Sequence, residues 1–161
     1  MSLTEAQLSE LERLCSVVYG NVDPSSRVDA EHQLAALRSN VEFVPQCMFI
    51  LSHSKSNYAQ MLAAQSLESL VTKYWASFTN ERRIDMRNSL FDYVVNQSLD
   101  KFVLLALTKC CCRITKLGWF DSVEQREIIG KVQRLMGGEA AGTTSTSPPE
   151  YRMLVGLRIF M

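Results

Sequence analysis

The sequence predicts an all-α chain folded as a right-handed superhelical solenoid of antiparallel helix pairs, and three observations carry that expectation. Apolar residues recur at helical spacing along most of the chain, and short polar or Pro/Gly-bearing breaks separate the stripes. The pairs so defined start at Thr4, Val41, Thr79 and Asp121, steps of 37, 38 and 42 residues. Stacked helical hairpins of the HEAT or armadillo kind repeat at about 40–47 residues. In such a stack each pair contacts mainly its neighbours, and the second helices line one inner surface that suits large protein partners. No strand pattern competes, because Val94-Val95 and the Thr-rich stretch near the C-terminus are too short or too flexible for a sheet.

Leu8, Leu11, Leu14, Cys15 and Val18 make a first amphipathic helix behind a Thr4 cap, and Gly20 stops it. Asp23-Pro24-Ser25 opens a second, with proline early in the helix where its missing N–H costs little, and Val28, Leu34 and Leu37 continue the stripe. Val41 to Leu51 reads as a third helix, Ser52 to Asn57 as a polar turn, and Tyr58 to Trp75 as a fourth helix. Thr79 caps a fifth from Glu81 to Val95, without a capping box because Arg82 stands where Glu or Gln is wanted. Asp100 opens a sixth from Lys101 to about Leu117, and Ser122 to Met136 forms a further one. The expected organisation is therefore repeats over 4–39, 41–76 and 79–118 within a segment 4–121, followed by an incomplete fourth pair over 122–161. Residues 137–149, rich in Gly, Thr and Ser, read as a flexible linker. The apolar segment 151–161 reads as the start of another helix that the sequence cuts short.

Composition narrows function. Seventeen Lys plus Arg balance seventeen Asp plus Glu, so the basic excess of a whole-domain nucleic-acid binder is lacking. Five cysteines, three of them consecutive at Cys110-Cys111-Cys112, follow neither CxxC spacing nor a secreted framework, which points to a reducing compartment. Met1 to Glu5 does not open a secretory signal, and the longest apolar runs fall far short of the roughly 20 residues of a membrane span. The expectation is a soluble intracellular protein with no membrane partner.

Catalytic chemistry finds no support. Adjacent cysteines on a helix point about 100° apart and do not converge on one metal ion, so the triplet is expected in and beside the core. His32 and His53 are the two histidines, and neither is placed for a Cys/His pair. Gly137-Gly138 lacks the Lys-Ser/Thr of a phosphate loop. No enzyme activity, cofactor or metal is expected.

The run Arg113-Ile114-Thr115-Lys116-Leu117-Gly118-Trp119-Phe120-Asp121, preceded by the apolar stretch Phe102 to Leu107, resembles the exportin-seven branch of the importin-beta superfamily. Tyr58 to Ala64 leading to Leu70-Val71, Glu81 to Asn88, and Leu11 to Cys15 with Tyr19 and Arg27 to Glu31 are similar to that branch as well. The resemblance covers about residues 8–121 and fades in the Gly/Thr/Ser linker. It implies a long HEAT solenoid that shuttles between nucleus and cytoplasm, carries protein cargo past nuclear pore proteins, and binds the GTP form of the small GTPase Ran through its N-terminal repeats. One departure is Glu68-Ser69, which stands where many members have Lys or Lys-Asn.

For a partner surface the sequence offers Lys109, Arg113 and Lys116, spaced by four and three residues on one helical face. Two readings stay open: pairing with a partner's acidic groups, or plain placement of cations near a helix C-terminus, worth about 0.3–1 kcal/mol. Upstream the same stripe is Phe102, Leu105 and Ala106, so it is not charged throughout. Gln65, Glu68 and Lys73 are second candidates for the inner surface, against simple solvent exposure; Arg27 and Glu31 rank last, as a surface ion pair. Trp75, Trp119 and Phe120 are read as packing residues at helix ends. The alternative to a Ran-dependent receptor is a HEAT-repeat scaffold that joins proteins without any GTPase.

Overall fold

The computed structural model describes residues 3–20 and 23–136. They form two compact units divided after Tyr74, and among them every regular element is helical. The linker 137–149 and the apolar segment 151–161 lie outside the described residues.

The first unit holds α1 (Glu5–Tyr19), α2 (Pro24–Arg38), α3 (Phe43–His53) and α4 (Asn57–Lys73). Thr4 caps α1 more completely than its sequence suggested. Its hydroxyl accepts from the Gln7 N–H while the Gln7 side chain accepts from the Thr4 N–H, a full capping box. Leu11, Leu14, Cys15 and Val18 are buried, as the spacing predicts. Pro24 stands at the first position of α2. The expected stripe of that helix fails, however: Ala30 and Leu34 are buried, whereas Val28 is 55% and Leu37 39% exposed. Counted at 100° per residue, Val28 lies about 120° and Leu37 about 60° around the helix from Leu34, too far apart to share one narrow contact line.

α3 and α4 form the best-buried hairpin. Ile50, Leu62, Leu67, Leu70 and Val71 are at most 1% exposed, and Ala59, Ala63 and Ala64 let the partner helices approach closely. The turn between them is shorter than expected, since Ser52 and His53 complete α3 and leave Ser54 to Ser56 outside. Ser54 ties this turn down: its hydroxyl donates to the Glu12 carboxylate of α1, and its carbonyl accepts from the Gln60 amide at 2.9 Å. Tyr19 and Tyr58 stack with ring centroids 5.5 Å apart.

The second unit opens with a 3-10 turn at Trp75–Ser77, so α4 stops at Lys73 rather than running to Trp75. α5 (Asn80–Asn96) and α6 (Lys101–Gly118) follow as an antiparallel pair. The Thr79 hydroxyl accepts from the Arg82 N–H, a cap without a box. Leu90, Val94, Val103, Leu107, Cys110 and Ile114 are fully buried between or beside the pair. The helix expected over 122–136 is two pieces, α7 (Val123–Arg126) and α8 (Ile128–Met136). The break has a cause on α5: the Arg87 guanidinium donates to the carbonyls of Glu124 and Gln125, which a continuous helix would use for the N–H groups of residues 128 and 129. Ile128 and Val132 then pack on Phe91, flanked by Val95, Ile129, Leu135 and Met136.

Cys15, Cys47, Cys110 and Cys111 are buried and Cys112 is half-buried, as expected for core and flanking residues. Burial pushes the Cys15 thiol, helped by the Glu12 carboxylate, and the Cys111 thiol from about 9 up to about 12. Because the folded pKa lies above the unfolded one, the associated stability is present below about pH 9 and is lost as pH rises toward 12. The urea midpoint should fall across that window, and substituting Cys15 and Cys111 with Ala should flatten the fall. A midpoint that is level from pH 8.5 to 10.5 would show that these thiols do not govern the alkaline limb.

Candidate partner-binding surface

The six residues singled out in the sequence divide between the units. In the first unit, Gln65 is exposed and Glu68 half-buried on the solvent side of α4, opposite the buried Leu62, Leu67 and Leu70. Three residues apart, these two share a stripe. Lys73 does not join them: it sits about 140° around the helix from Glu68, at the C-terminus of α4, with its ammonium 5.0 Å from the centre of the Tyr74 ring. A cation there also complements the helix dipole.

In the second unit, Lys109 and Lys116 are exposed and Arg113 half-buried along one edge of α6. The opposite edge is the core stripe Val103, Leu107, Cys110 and Ile114, whose packing fixes the rotation of the helix and so aims the three cations outward. α6 contains Lys101, Lys109, Arg113 and Lys116 and no Asp or Glu, so every charged group the helix itself carries is positive. Phe102 and Leu105, which interrupted the charged stripe in the sequence, are not core residues: they are 41% and 59% exposed on that face. A signal for this was present, because the core stripe of α6 is already complete without them.

Two arginines one turn apart on α5 hold the connection from α6 to α7 and α7 itself. Arg83 pairs with Asp121 at 2.7 Å, donates to the Trp75 carbonyl at 2.8 Å, and stacks over the Trp75 ring at 4.6 Å. The Trp75 indole N–H donates to the same Asp121 carboxylate at 3.2 Å. Trp75 is thus a packing residue, as read. Arg87, 1% exposed, adds a bond to the Gln125 side chain at 3.2 Å and one to Asn88 at 3.0 Å. Burial lowers its affinity for the proton, which the Glu127 carboxylate partly restores. Beside these anchors the reading of Phe120 as a packing residue fails: it precedes Asp121 and is 90% exposed, and Val123, between Asp121 and Glu124, is 66% exposed. The segment is pinned through Asp121 and the carbonyls of Glu124 and Gln125, and the side chains of Phe120 and Val123 face outward.

Arg27 and Glu31 form the surface ion pair expected, at 2.9 Å with both side chains about half exposed. Such a pair contributes about 0.3–0.5 kcal/mol. A shallow groove of about 480 Å³ lies between α1 and the end of α3, lined by Glu5, Leu8, Ser9, Glu12, Phe49, His53 and Lys55, and includes none of the six candidates. Among the described residues no group of three or more His, Cys, Asp and Glu is placed to hold a metal ion, and no helix is long and apolar enough to cross a membrane.

Residues 30–96, from the middle of α2 to the end of α5, match the importin-beta N-terminal domain. Over 143 residues, 86% of the chain, it is 38% identical to Ran-binding protein 17 of Mus musculus. This is an N-terminal region of the importin-beta family, of the exportin-7 type. Exportin-7-B of Xenopus laevis is likewise 38% identical over 80% of the chain, and Ran-binding protein 16 of Drosophila melanogaster 33% identical over 76%. The chain spans only 11–13% of the length of these relatives. No solved structure matches it. The helix pairs within each unit are those of an exportin-7-type, HEAT-like α fold.

Proposed function

We propose that this importin-beta-type region is the Ran-recognising end of a nuclear transport receptor, engaging the GTP form of Ran through the basic edge of α6. The observation that supports this most directly is the run of Lys109, Arg113 and Lys116 along a helix with no acidic residue, in a chain whose relatives are named as Ran-binding proteins and exportins. Such a stripe attracts and orients an acidic partner surface, chiefly by raising the encounter rate, and it weakens as salt screens it. Gln65, Glu68 and Lys73 of α4 are proposed as lesser contributors, since they do not form one stripe.

In a full-length receptor, Ran binding is coupled to protein cargo by linkage. If Ran prefers one arrangement of the helical repeats, cargo that prefers the same one binds cooperatively and cargo that prefers another is released. Such a receptor shuttles between nucleus and cytoplasm and meets nuclear pore proteins on the way, with no catalytic step of its own.

The test is binding of the chain to Ran loaded with a non-hydrolysable GTP analogue and, in parallel, with GDP, at physiological salt. Preference for the GTP form is expected. The triple variant Lys109→Glu/Arg113→Glu/Lys116→Glu should lose about ten- to hundredfold in affinity, mostly in the association rate. Equal affinity for both nucleotide states, unmoved by the charge reversal, would favour a scaffold that binds proteins without regard to Ran.

A further inference from the structure

We propose that the exposed stripe of α6 is a two-part docking strip for an acidic protein segment that also carries apolar side chains, with Phe102 and Leu105 receiving the apolar part and Lys109, Arg113 and Lys116 the carboxylates. This deepens the reading above and rests on it for the identity of the partner; the chemistry of the strip comes from α6 itself.

The five residues stand at i, i+3, i+7, i+11 and i+14, so they follow one line along the helix about 21 Å long. Its two halves differ in kind. In the first, Leu105 is 59% and Phe102 41% exposed. In the second, Lys109 and Lys116 are exposed and Arg113 is half-buried, with no acidic residue anywhere on the helix. The buried edge of the helix is built by Val103, Leu107, Cys110 and Ile114, all fully buried, while Phe102 and Leu105 keep a large share of their surface open to a partner. Two large apolar side chains one turn apart give a partner an area to bury, and aromatic anchors of this sort dominate interface energetics. Charge complementarity fixes the rest: carboxylates are favoured beside Lys109, Arg113 and Lys116. A polynucleotide, charged along its whole length, would have to lay phosphates on Phe102 and Leu105, so the strip favours a protein segment with its charge at one end.

Two probes test this with the whole chain. The first is a pair of synthetic helical peptides of equal composition, one with leucines in one half of a face and glutamates in the other, the second with the two interleaved. The segregated peptide should bind about tenfold more tightly and shift the amide resonances of α6. Phe102→Ala/Leu105→Ala should remove the difference while leaving the salt dependence unchanged, whereas Lys109→Gln/Lys116→Gln should flatten the salt dependence. All four changes are at exposed positions, and circular dichroism checks that the helices persist. The second probe is Ran with the GTP analogue, whose affinity should fall about tenfold in Phe102→Ala/Leu105→Ala. Peptides that bind equally, or not at all, overturn the strip. A chain that distinguishes the peptides but not the nucleotide states of Ran keeps the strip and loses the Ran reading. If Ran binding is GTP-dependent while the peptides are not distinguished, the Ran reading stands and the strip falls.

Discussion

Replacing Arg87 with Met should lower the stability of the second unit by about 3 kcal/mol, because the buried carbonyl and side-chain oxygen of Gln125 lose the Arg87 donor at once. The guanidinium serves the carbonyls of Glu124 and Gln125, the side chain of Gln125 and that of Asn88. Methionine fills much of the same volume, so the expected loss reports unsatisfied polar groups more than a cavity. The Glu124 carbonyl keeps the Glu127 N–H at 3.3 Å, whereas the Gln125 carbonyl recovers a partner by letting α7 and α8 merge into the continuous helix that the sequence alone suggests over 122–136. The variant should therefore gain amide protection at residues 128 and 129 and lose it at the connection to α6, read by hydrogen exchange beside a urea titration. Arg87→Lys keeps the charge but not the fork and should fall between. A methionine variant within 0.5 kcal/mol of the parent, a roughly neutral result on the scale of surface changes, would show that the arginine is not what breaks the helix.

Gly118→Val is the second large effect expected, at about 3 kcal/mol, the upper end of what overpacking costs. Even a single Cβ on Gly118 would lie 2.7 Å from Cδ and 2.9 Å from Oε1 of Gln125. A side-chain amide elsewhere would swing aside. This one is fully buried, accepts from Arg87 at 3.2 Å, and donates to Asn80 at 3.4 Å, so moving it breaks the connection's polar network. Gly118→Ala should cost less, about 1–2 kcal/mol. Combined with Gln125→Ala it should show strong positive coupling in a double-mutant cycle, since the small residue vacates the space the new methyl needs. Additive losses would mean that Gly118 is required for something other than the approach of Gln125.

These two positions mark the boundary of what the chain states locally. The helices were legible because each carries its own instruction within a few residues: Thr4, Pro24 after Asp23, Thr79, and the apolar period that includes Val103, Leu107, Cys110 and Ile114. The same period told that Lys109, Arg113 and Lys116 share a face. The periodicity could not settle which of several apolar residues on a helix are surplus to its core. α2 buries only Ala30 and Leu34, so Val28 and Leu37 face solvent, while α6 fills its core with one edge and leaves Phe102 and Leu105 outside.

The sequence by itself determined the all-helical class, most helix positions, the burial of the cysteines and the membership in the importin-beta family, because capping, apolar period and family motifs are properties of short segments. Tertiary structure alone decided the break at Glu127, the exposure of Phe120 beside Asp121's ion pair, and the need for glycine at 118. Each of these depends on side chains about 35 to 45 residues away along the chain, Arg83, Arg87 and Asn80, that meet the α6–α7 connection only once α5 and α6 have packed. A buried donor takes the nearest carbonyls whatever the local propensity prefers, and that competition has no signature in the segment that loses it.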